Sequence, residues 1–377
     1  LKRLGLAPAD FQYRALMLRV LTEQVAGYYD PKTAEFHLAD WIDLDGQRPV
    51  MAHELTHALQ DQHFNLRRFE HWPKGDSDSE LAAHALIEGD AILVMVLYVS
   101  GHPLRLLALL KSMNSLGSTS QELEKAPRSL RETLLFSYQQ GADWTKSLYK
   151  QGGWDRVSKA FSELPQSTEQ IIHPEKYFAH EAPVKVTLPD ITALLKAGSS
   201  DMRSVPAGGS ASQAVWKRLD NDVQGEWGLY QVLDEFLKAP NESRRAAAGW
   251  GGDRYAIYEG PQGKVLFASL STWDTEDDAR EFFDAYVKRT ELRYPGAAAI
   301  AATASTQSST TSKAFRTLEG AVIIELHGNR IVVLEGVPDR ANEKSLLKAL
   351  WAEPFPKKLT VDLFYSKKSL ALRRLQF

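Results

Sequence analysis

The chain has 377 residues, which at about 100–200 residues per domain predicts two domains. Hydrophobic residues make up 44% and charged residues 25%, so the chain can bury cores of ordinary size without crosslinks. A net charge of −3 gives no basic footprint for nucleic acid, and we expect no nucleic-acid partner. The absence of cysteine excludes disulfides, thiolate metal sites and cysteine nucleophiles. Any tight metal site must therefore use histidine and carboxylate side chains.

The first half predicts a mostly helical domain with one small hairpin. Apolar and aromatic spacing predicts, in chain order, a helix over 7–26, a hairpin over 27–38, helices over 48–63 and 76–98, and a helical region over 103–163. The helical region is expected to break at Gly152-Gly153, because adjacent glycines weaken a helix. Ser77, with Glu80 three residues later, predicts a capping box at the start of its helix.

The second half differs in kind. Proline, glycine and serine are frequent over 195–212, so we predict a first domain over 1–200 and a second over 210–377. The second domain reads as strands 254–258 and 265–270, helix 275–293, strands 321–326 and 330–334, and helix 342–351. A mobile loop is predicted over 296–313, where alanine, serine and threonine dominate. This β-β-α-β-β-α order, after a helical domain, predicts the α+β fold class.

The segment His53-Glu54-Leu55-Thr56-His57 carries the clearest chemistry. Its two histidines stand one helical turn apart on one face, with Cβ atoms about 5–6 Å apart. Neutral imidazoles at that spacing are suited to bind Zn²⁺. Glu54 lies beside the first histidine, where it can take a proton from a water that zinc has made acidic. This segment therefore predicts two zinc ligands, His53 and His57, and a general base, Glu54.

A catalytic zinc site needs a third protein ligand, and without cysteine that ligand must be histidine or a carboxylate. Glu88 lies in an apolar helical stretch, where an unpaired carboxylate would cost several kcal/mol. We therefore predict Glu88 as the third ligand. His84 and Glu80 share its helical face and stay open as alternatives, although Glu80 lies two turns away.

Three segments resemble a known family. His53–Asp61 resembles the active-site helix of thermolysin-like peptidases, and Glu88-Gly89-Asp90-Ala91 resembles the glutamate-ligand helix of the aminopeptidase branch of the gluzincins. Tyr138-Gln139-Gln140-Gly141 resembles the Tyr-x-x-Gly helix of that branch. The chain is also similar to bacterial proteins that carry the same His-Glu-Leu-Thr-His helix. The resemblance implies a bacterial zincin-like metallopeptidase in which Tyr138 stabilises the oxyanion, with His173 and Tyr177 as weaker candidates for that role.

Departures from the family pattern carry information. The gap between His57 and Glu88 is longer than in either branch, which predicts an extra loop near 65–79. Thermolysin-like enzymes orient a zinc histidine with an aspartate four residues after the glutamate ligand, but Ile92 stands there. We expect Glu80 or Asp61 to orient the histidines instead.

No Gly-x-Met-Glu-Asn strand precedes His53, so the sequence favours an endopeptidase over an aminopeptidase. The hairpin would then offer an edge strand to an extended peptide. The substrate is expected to be a peptide or protein. A non-catalytic scaffold that keeps a zinc site is the alternative, although such a site has no need of the base Glu54.

Two further expectations concern location. The most apolar run, Ala91–Val99, has nine residues where a membrane helix needs about 20, so no membrane span is predicted. Because the chain begins at Leu1 and not at methionine, we expect that a leader has been removed and that the protein is periplasmic or extracellular.

Overall fold

The computed structural model describes residues 1–24, 27–38, 44–101, 121–197, 216–300, 310–339 and 341–353. Within these residues the protein mixes helices with two sheets, one small and one large, which confirms the α+β class at the coarse level. Most of the segment in which we predicted the domain boundary, and part of the helical region predicted over 103–163, lie outside the described residues. The positions of the two domain limits therefore stay predictions.

The first half is mostly helical. Its helices are α1 Tyr13–Gln24, α2 Leu44–Phe64, α3 Ser77–Ser100, α4 Gln121–Glu124, α5 Arg128–Ala160, α6 Thr168–Ile172, α7 Pro174–Phe178 and α8 Thr192–Ala197. The strands β1 Gly27–Asp30 and β2 Glu35–Leu38 pair antiparallel, as the hairpin prediction required. Gly152 and Gly153 leave helical geometry inside α5, which confirms the predicted break. Irregular chain with a short 3₁₀ turn at Leu66–Phe69 fills the predicted extra loop between α2 and α3.

The predicted cap of α3 is wrong. Asp76, not Ser77, is its N-cap, and the Asp76 side chain accepts a hydrogen bond from the backbone N–H of Ser79. Ser77 instead donates its backbone N–H and its hydroxyl to Asp222, in the second half of the chain. A sequence scan could not separate two adjacent residues that both favour the cap position, because a tertiary contact decided between them.

Helices α3 and α5 pack more closely than ordinary side chains would allow. A methyl group added at Gly89 of α3 would lie 2.2 Å from the backbone of Gly141 in α5, and one added at Gly141 would lie 2.2 Å from the carbonyl oxygen of Ala85. The core around this crossing is formed by Leu86, Phe136, Trp144 and Leu148 among others. Two glycines therefore set the distance between the helices that carry Glu88 and Tyr138.

Among the described residues, α3 is the one helix whose length and mean hydropathy of 1.7 would suffice to cross a membrane. Over half of that stretch, 56%, is buried inside the protein. Its apolar composition is that of a core helix packed against α2 and α5, so no clear membrane span emerges.

The second half is built on a seven-stranded antiparallel sheet in the order β3-β4-β5-β9-β8-β7-β6. Its strands are β3 Lys217–Asp222, β4 Trp250–Glu259, β5 Val265–Trp273, β6 Ala298–Ile300, β7 Thr311–Thr317, β8 Gly320–His327 and β9 Arg330–Val337. Its helices are α9 Gly225–Leu237, α10 Pro240–Ala247, α11 Glu276–Arg293 and α12 Glu343–Trp351. Helices α9, α10 and α11 cover one face, while α12 and the segment around α8 cover the other.

The predicted β-β-α-β-β-α order is correct but incomplete. It contains β4, β5, α11, β8, β9 and α12, and it omits β3, α9, α10, β6 and β7. The predicted mobile loop over 296–313 is wrong at its two ends, where β6 and the start of β7 form sheet ladders. Strand β7 lies near the sheet edge and was missed because its sequence is largely polar, Thr-Ser-Lys-Ala-Phe-Arg-Thr.

Polar contacts join the two halves of the chain. Asp78 of α3 accepts hydrogen bonds from the backbone and hydroxyl of Thr168, and the same hydroxyl accepts from the backbone N–H of Trp227 in α9. Arg128 of α5 pairs with Asp234 of α9 at 2.5 Å. The helical half and the sheet half therefore meet through α9.

We predict that Gly141→Ala lowers the free energy of unfolding by about 1–3 kcal/mol, because its methyl group would overlap the carbonyl of Ala85. Urea unfolding followed by circular dichroism measures this. Gly152→Ala in the same helix is the matched control, since its methyl group meets only the flexible Arg156 side chain, at 3.1 Å. Equal unfolding midpoints for the two variants would contradict the packing argument.

Candidate metal centre

Three predicted ligands meet at one point. The histidine Nε2 atoms of His53 and His57 lie 3.1 Å apart, and Oε2 of Glu88 lies 3.3 Å from the first and 3.6 Å from the second. A tetrahedral zinc ion with bonds of about 2.0–2.1 Å spaces its ligand atoms about 3.3–3.4 Å apart. The three side chains therefore fit a zinc ion without rearrangement.

The two alternative ligands are not at this point. In the part of the chain that the structure describes, the metal-sized cluster around the motif consists of His53, His57 and Glu88. His84 and Glu80 lie on α3 but do not enter it, and His84 is exposed. Helix α3 presents Glu88 to His53 and His57 of α2, while Gly89, the next residue, lies at the close crossing with α5.

Two buried polar atoms of the cluster have no hydrogen-bond partner among the described residues. Oε2 of Glu88 is buried and makes no hydrogen bond of good geometry, although two imidazole nitrogens lie close to it. Nδ1 of His53 is also buried without a partner in the described structure. Buried polar atoms are nearly always satisfied, so the unpartnered Oε2 of Glu88 is suited to bind a cation held between the three ligand atoms.

The charges of His57 and Glu88 also suit a bound cation. Burial disfavours the charged form of His57, but contacts with Glu88 outweigh it and raise the pKa of His57 to about 9. Burial likewise opposes ionisation of Glu88, yet contacts with His53 and His57 lower its pKa to about 2. These shifts favour a protonated His57 beside an ionised Glu88. A metal cation can take the place of the proton on His57.

Gln60 orients His57. Its amide nitrogen donates to the carbonyl of Ile87, at 3.0 Å, and to the buried carboxylate of Asp90, at 2.8 Å. This leaves Oε1 of Gln60 as the acceptor for Nδ1 of His57, at 2.9 Å. Nε2 of His57 is thereby turned toward Glu88, as in metal sites whose histidines are held by a hydrogen bond.

The predicted orienting residues were wrong. Asp61 accepts from the Tyr29 hydroxyl, at 3.0 Å, and from the backbone N–H of Leu66, and so holds the hairpin and the loop after α2. Among the described residues Glu80 is bonded to neither histidine, since Nδ1 of His57 meets Gln60 and Nδ1 of His53 has no partner. Gln60 lies three residues after His57, so the two side chains are neighbours on the helix surface. This spacing was the sequence signal that could have identified Gln60 as the orienting residue.

Glu54 lies buried beside the cluster, only 7% exposed. Burial raises the pKa of Glu54, although the charges of His57 and His53 and a hydrogen bond from the backbone of Tyr29 act in the opposite sense. A carboxyl group whose pKa moves toward neutrality can both accept and return a proton. The hydrogen bond from Tyr29 also places strand β1 next to the motif helix.

Tyr138 lies at the cluster. Its ring stacks on that of His53, with centroids 6.3 Å apart and planes 24° apart, and the side chain is 41% exposed. Burial of the hydroxyl raises the pKa of Tyr138, and the charges of Glu88 and Glu54 add to it. The phenol therefore stays protonated near neutral pH and can donate a hydrogen bond beside the three ligands.

The weaker candidates are elsewhere. Nε2 of His173 lies 2.9 Å from Oε1 of Glu226, and the Tyr177 hydroxyl donates to the carbonyl of Glu163. Neither belongs to the cluster of His53, His57 and Glu88. Their expected part in oxyanion stabilisation is not supported by where they lie.

A second acidic group of metal-binding size contains a lysine. Glu169, Glu181 and Asp274 surround the Lys176 ammonium, which lies 2.6 Å from Asp274 and 3.3 Å from Glu181. That internal cation occupies the position that a metal ion would take between the carboxylates. Only the cluster on α2 and α3 is thus left as a metal candidate among the described residues.

Comparison with known proteins covers the other half of the chain. Residues 213–347 match a family described as "Domain of unknown function (DUF8575)". This region holds the large sheet with α9, α10 and α11, and it contains none of the three candidate ligands. No curated protein and no solved structure matches the chain.

Zinc titration calorimetry tests the candidate ligands. We predict that the wild-type protein binds one zinc ion tightly and that Glu88→Ala weakens the affinity by more than the about 10–100-fold expected for Gln60→Ala. Glu80→Gln on the same helix is the control and should bind as the wild type does. Equal affinities for Glu88→Ala and the wild type would remove Glu88 from the site.

Proposed function

We propose that this protein is a zinc-dependent endopeptidase with a zincin-like catalytic half. The observation that carries the proposal is the convergence of His53, His57 and Glu88 on one point, with Glu54 and Tyr138 beside it. A structural zinc site needs four protein ligands and no base. Three protein ligands next to a buried carboxyl group and a phenol are what hydrolysis requires.

Glu54 is the proposed general base. When bound, zinc supplies a Lewis acid that makes water acidic enough to react near neutral pH. The Glu54 carboxylate accepts a proton from the attacking water and returns it to the amine that leaves as the peptide bond breaks. Its raised pKa suits both transfers, since burial has brought the acid closer to neutrality.

Tyr138 is the proposed oxyanion donor. Attack on the peptide carbonyl places negative charge on oxygen, and a protonated phenol beside the ligands can donate to it. The charges of Glu88 and Glu54 help to keep the Tyr138 proton in place. Packing of α3 against α5 fixes the helix on which the phenol stands.

Strand β1 is the proposed peptide-binding edge. It pairs with β2 on one side, and the backbone of Tyr29 is directed at Glu54 on the other. An extended peptide can add to such an edge through its backbone, which brings a carbonyl within reach of the base. Binding along a strand accepts chain on both sides of the scissile bond, which favours an endopeptidase.

Glu54→Gln separates catalysis from metal binding. We predict unchanged zinc affinity and a loss of cleavage of at least about 100-fold, because the amide cannot accept the proton. Hydrolysis of a quenched-fluorescent peptide library by the zinc-loaded protein measures it, with Glu80→Gln as the matched acid-to-amide control. Wild-type cleavage by Glu54→Gln would exclude Glu54 as the base, and no cleavage by the zinc-loaded wild type would leave a scaffold with a zinc site.

Tyr138→Phe tests the oxyanion role. We predict a fall in kcat of about 100–1000-fold with KM and zinc affinity little changed, since one donor to the developing charge is lost. Tyr149→Phe in the same helix, where the ring packs on Trp154, is the control. A change in KM alone would show that Tyr138 holds the substrate and does not stabilise the oxyanion.

A further inference from the structure

A cavity of about 520 Å³ lies where α5 meets α6, α9 and α10. Its volume falls within the about 300–1,000 Å³ of small-molecule sites. Helix α5 contributes residues at helical spacing, including Leu135, Phe136 and Gln139. None of the three candidate ligands lines this cavity. The cavity and the metal cluster are therefore built from different residues.

A buried carboxylate, that of Glu226, lines the cavity. Glu226 is 4% exposed, and one of its oxygens lies 2.9 Å from Nε2 of His173. The other oxygen, Oε2, is buried and has no hydrogen-bond partner among the described residues. A buried acceptor left unpaired is unfavourable, so a ligand that donates to it gains from the contact.

Aromatic side chains form the walls. The Phe136 and Trp227 rings lie 4.7 Å apart, and those of Trp227 and Tyr230 lie 5.1 Å apart. Ile172 and Leu135 add aliphatic surface. Apolar side chains of a ligand would be removed from water here.

The rim carries positive charge. Arg244 and Arg245 line the opening and are exposed, with the Arg244 guanidinium 5.2 Å from the Tyr230 ring centroid. In the part of the chain that the structure describes, the ion pair of Arg245 is a long contact of 3.7 Å with Glu281. Glu132, the second carboxylate in the lining, is already bound by Arg128 and Gln231. The cavity thus offers one unpartnered carboxylate oxygen, Oε2 of Glu226, and two exposed guanidinium groups.

We propose that this cavity binds a short peptide with a free amino terminus and a free carboxylate. The ammonium group donates to Glu226, the apolar side chains lie against Phe136 and Trp227, and the carboxylate reaches Arg244 and Arg245. A fatty acid or nucleotide would bring no cation to the buried carboxylate. The proposal stands apart from the peptidase function, because none of these residues belongs to the metal cluster.

The test uses calorimetric titration of leucyl-leucine into metal-free Glu54→Gln protein, in which neither zinc binding nor cleavage contributes. We expect saturable binding of one dipeptide. N-acetyl-leucyl-leucine, which lacks the ammonium, and leucyl-leucine amide, which lacks the carboxylate, should each bind at least about tenfold more weakly. Equal binding of all three compounds, or of none up to millimolar concentration, overturns the proposal.

Variants assign the binding to this cavity. Glu226→Gln should weaken leucyl-leucine at least about tenfold while leaving the acetylated dipeptide unaffected. Arg244→Gln should reduce the preference for a free carboxylate, and Leu135→Trp should block entry by bulk. Glu235→Gln, on the same helix and paired with Lys238 at the surface, is the control. If Glu226→Gln fails to fold, the other two variants decide, and unchanged binding by both contradicts the assignment.

Discussion

The close crossing of α3 and α5 is the constraint on which the candidate site depends. Gly89 and Gly141 bring the two backbones together, and neither position has room for a methyl group. Glu88 immediately precedes the first glycine, and Tyr138 lies three residues before the second. A wider spacing between the helices would move the third ligand relative to His53 and His57, and would take the phenol away from the imidazole on which it stacks.

Part of the site could be predicted from sequence because it depends on patterns within single helices. Helical spacing places His53 beside His57, and a carboxylate in an apolar helix needs a cation, so the ligands were within reach of local reasoning. Gln60 was missed because its role requires the neighbouring helix, which supplies Asp90 and the carbonyl of Ile87. The cap of α3 was misplaced for the same reason, since Asp222 from the second half engages Ser77.

In the second half of the chain, local sequence patterns predicted some elements and missed others. Strands β8 and β9 are buried along nearly their whole length between two helical layers, and their continuous apolar runs made them predictable. Helix α9 was not predicted from the sequence. Its Glu226 and Asp234 are both buried, and they pair with side chains from the helical half. Helix α5 touches the metal cluster with one face and the dipeptide cavity with another, so both proposed sites depend on its position.

The central claim is that two imidazoles and one carboxylate hold a zinc ion, and X-ray absorption spectroscopy of the zinc-loaded protein tests it most directly. The account predicts two histidine nitrogens and oxygen ligands at about 2.0–2.1 Å, and the loss of one oxygen ligand in Glu88→Ala. A zinc environment made of oxygen alone, or one that Glu88→Ala leaves unchanged, would contradict it.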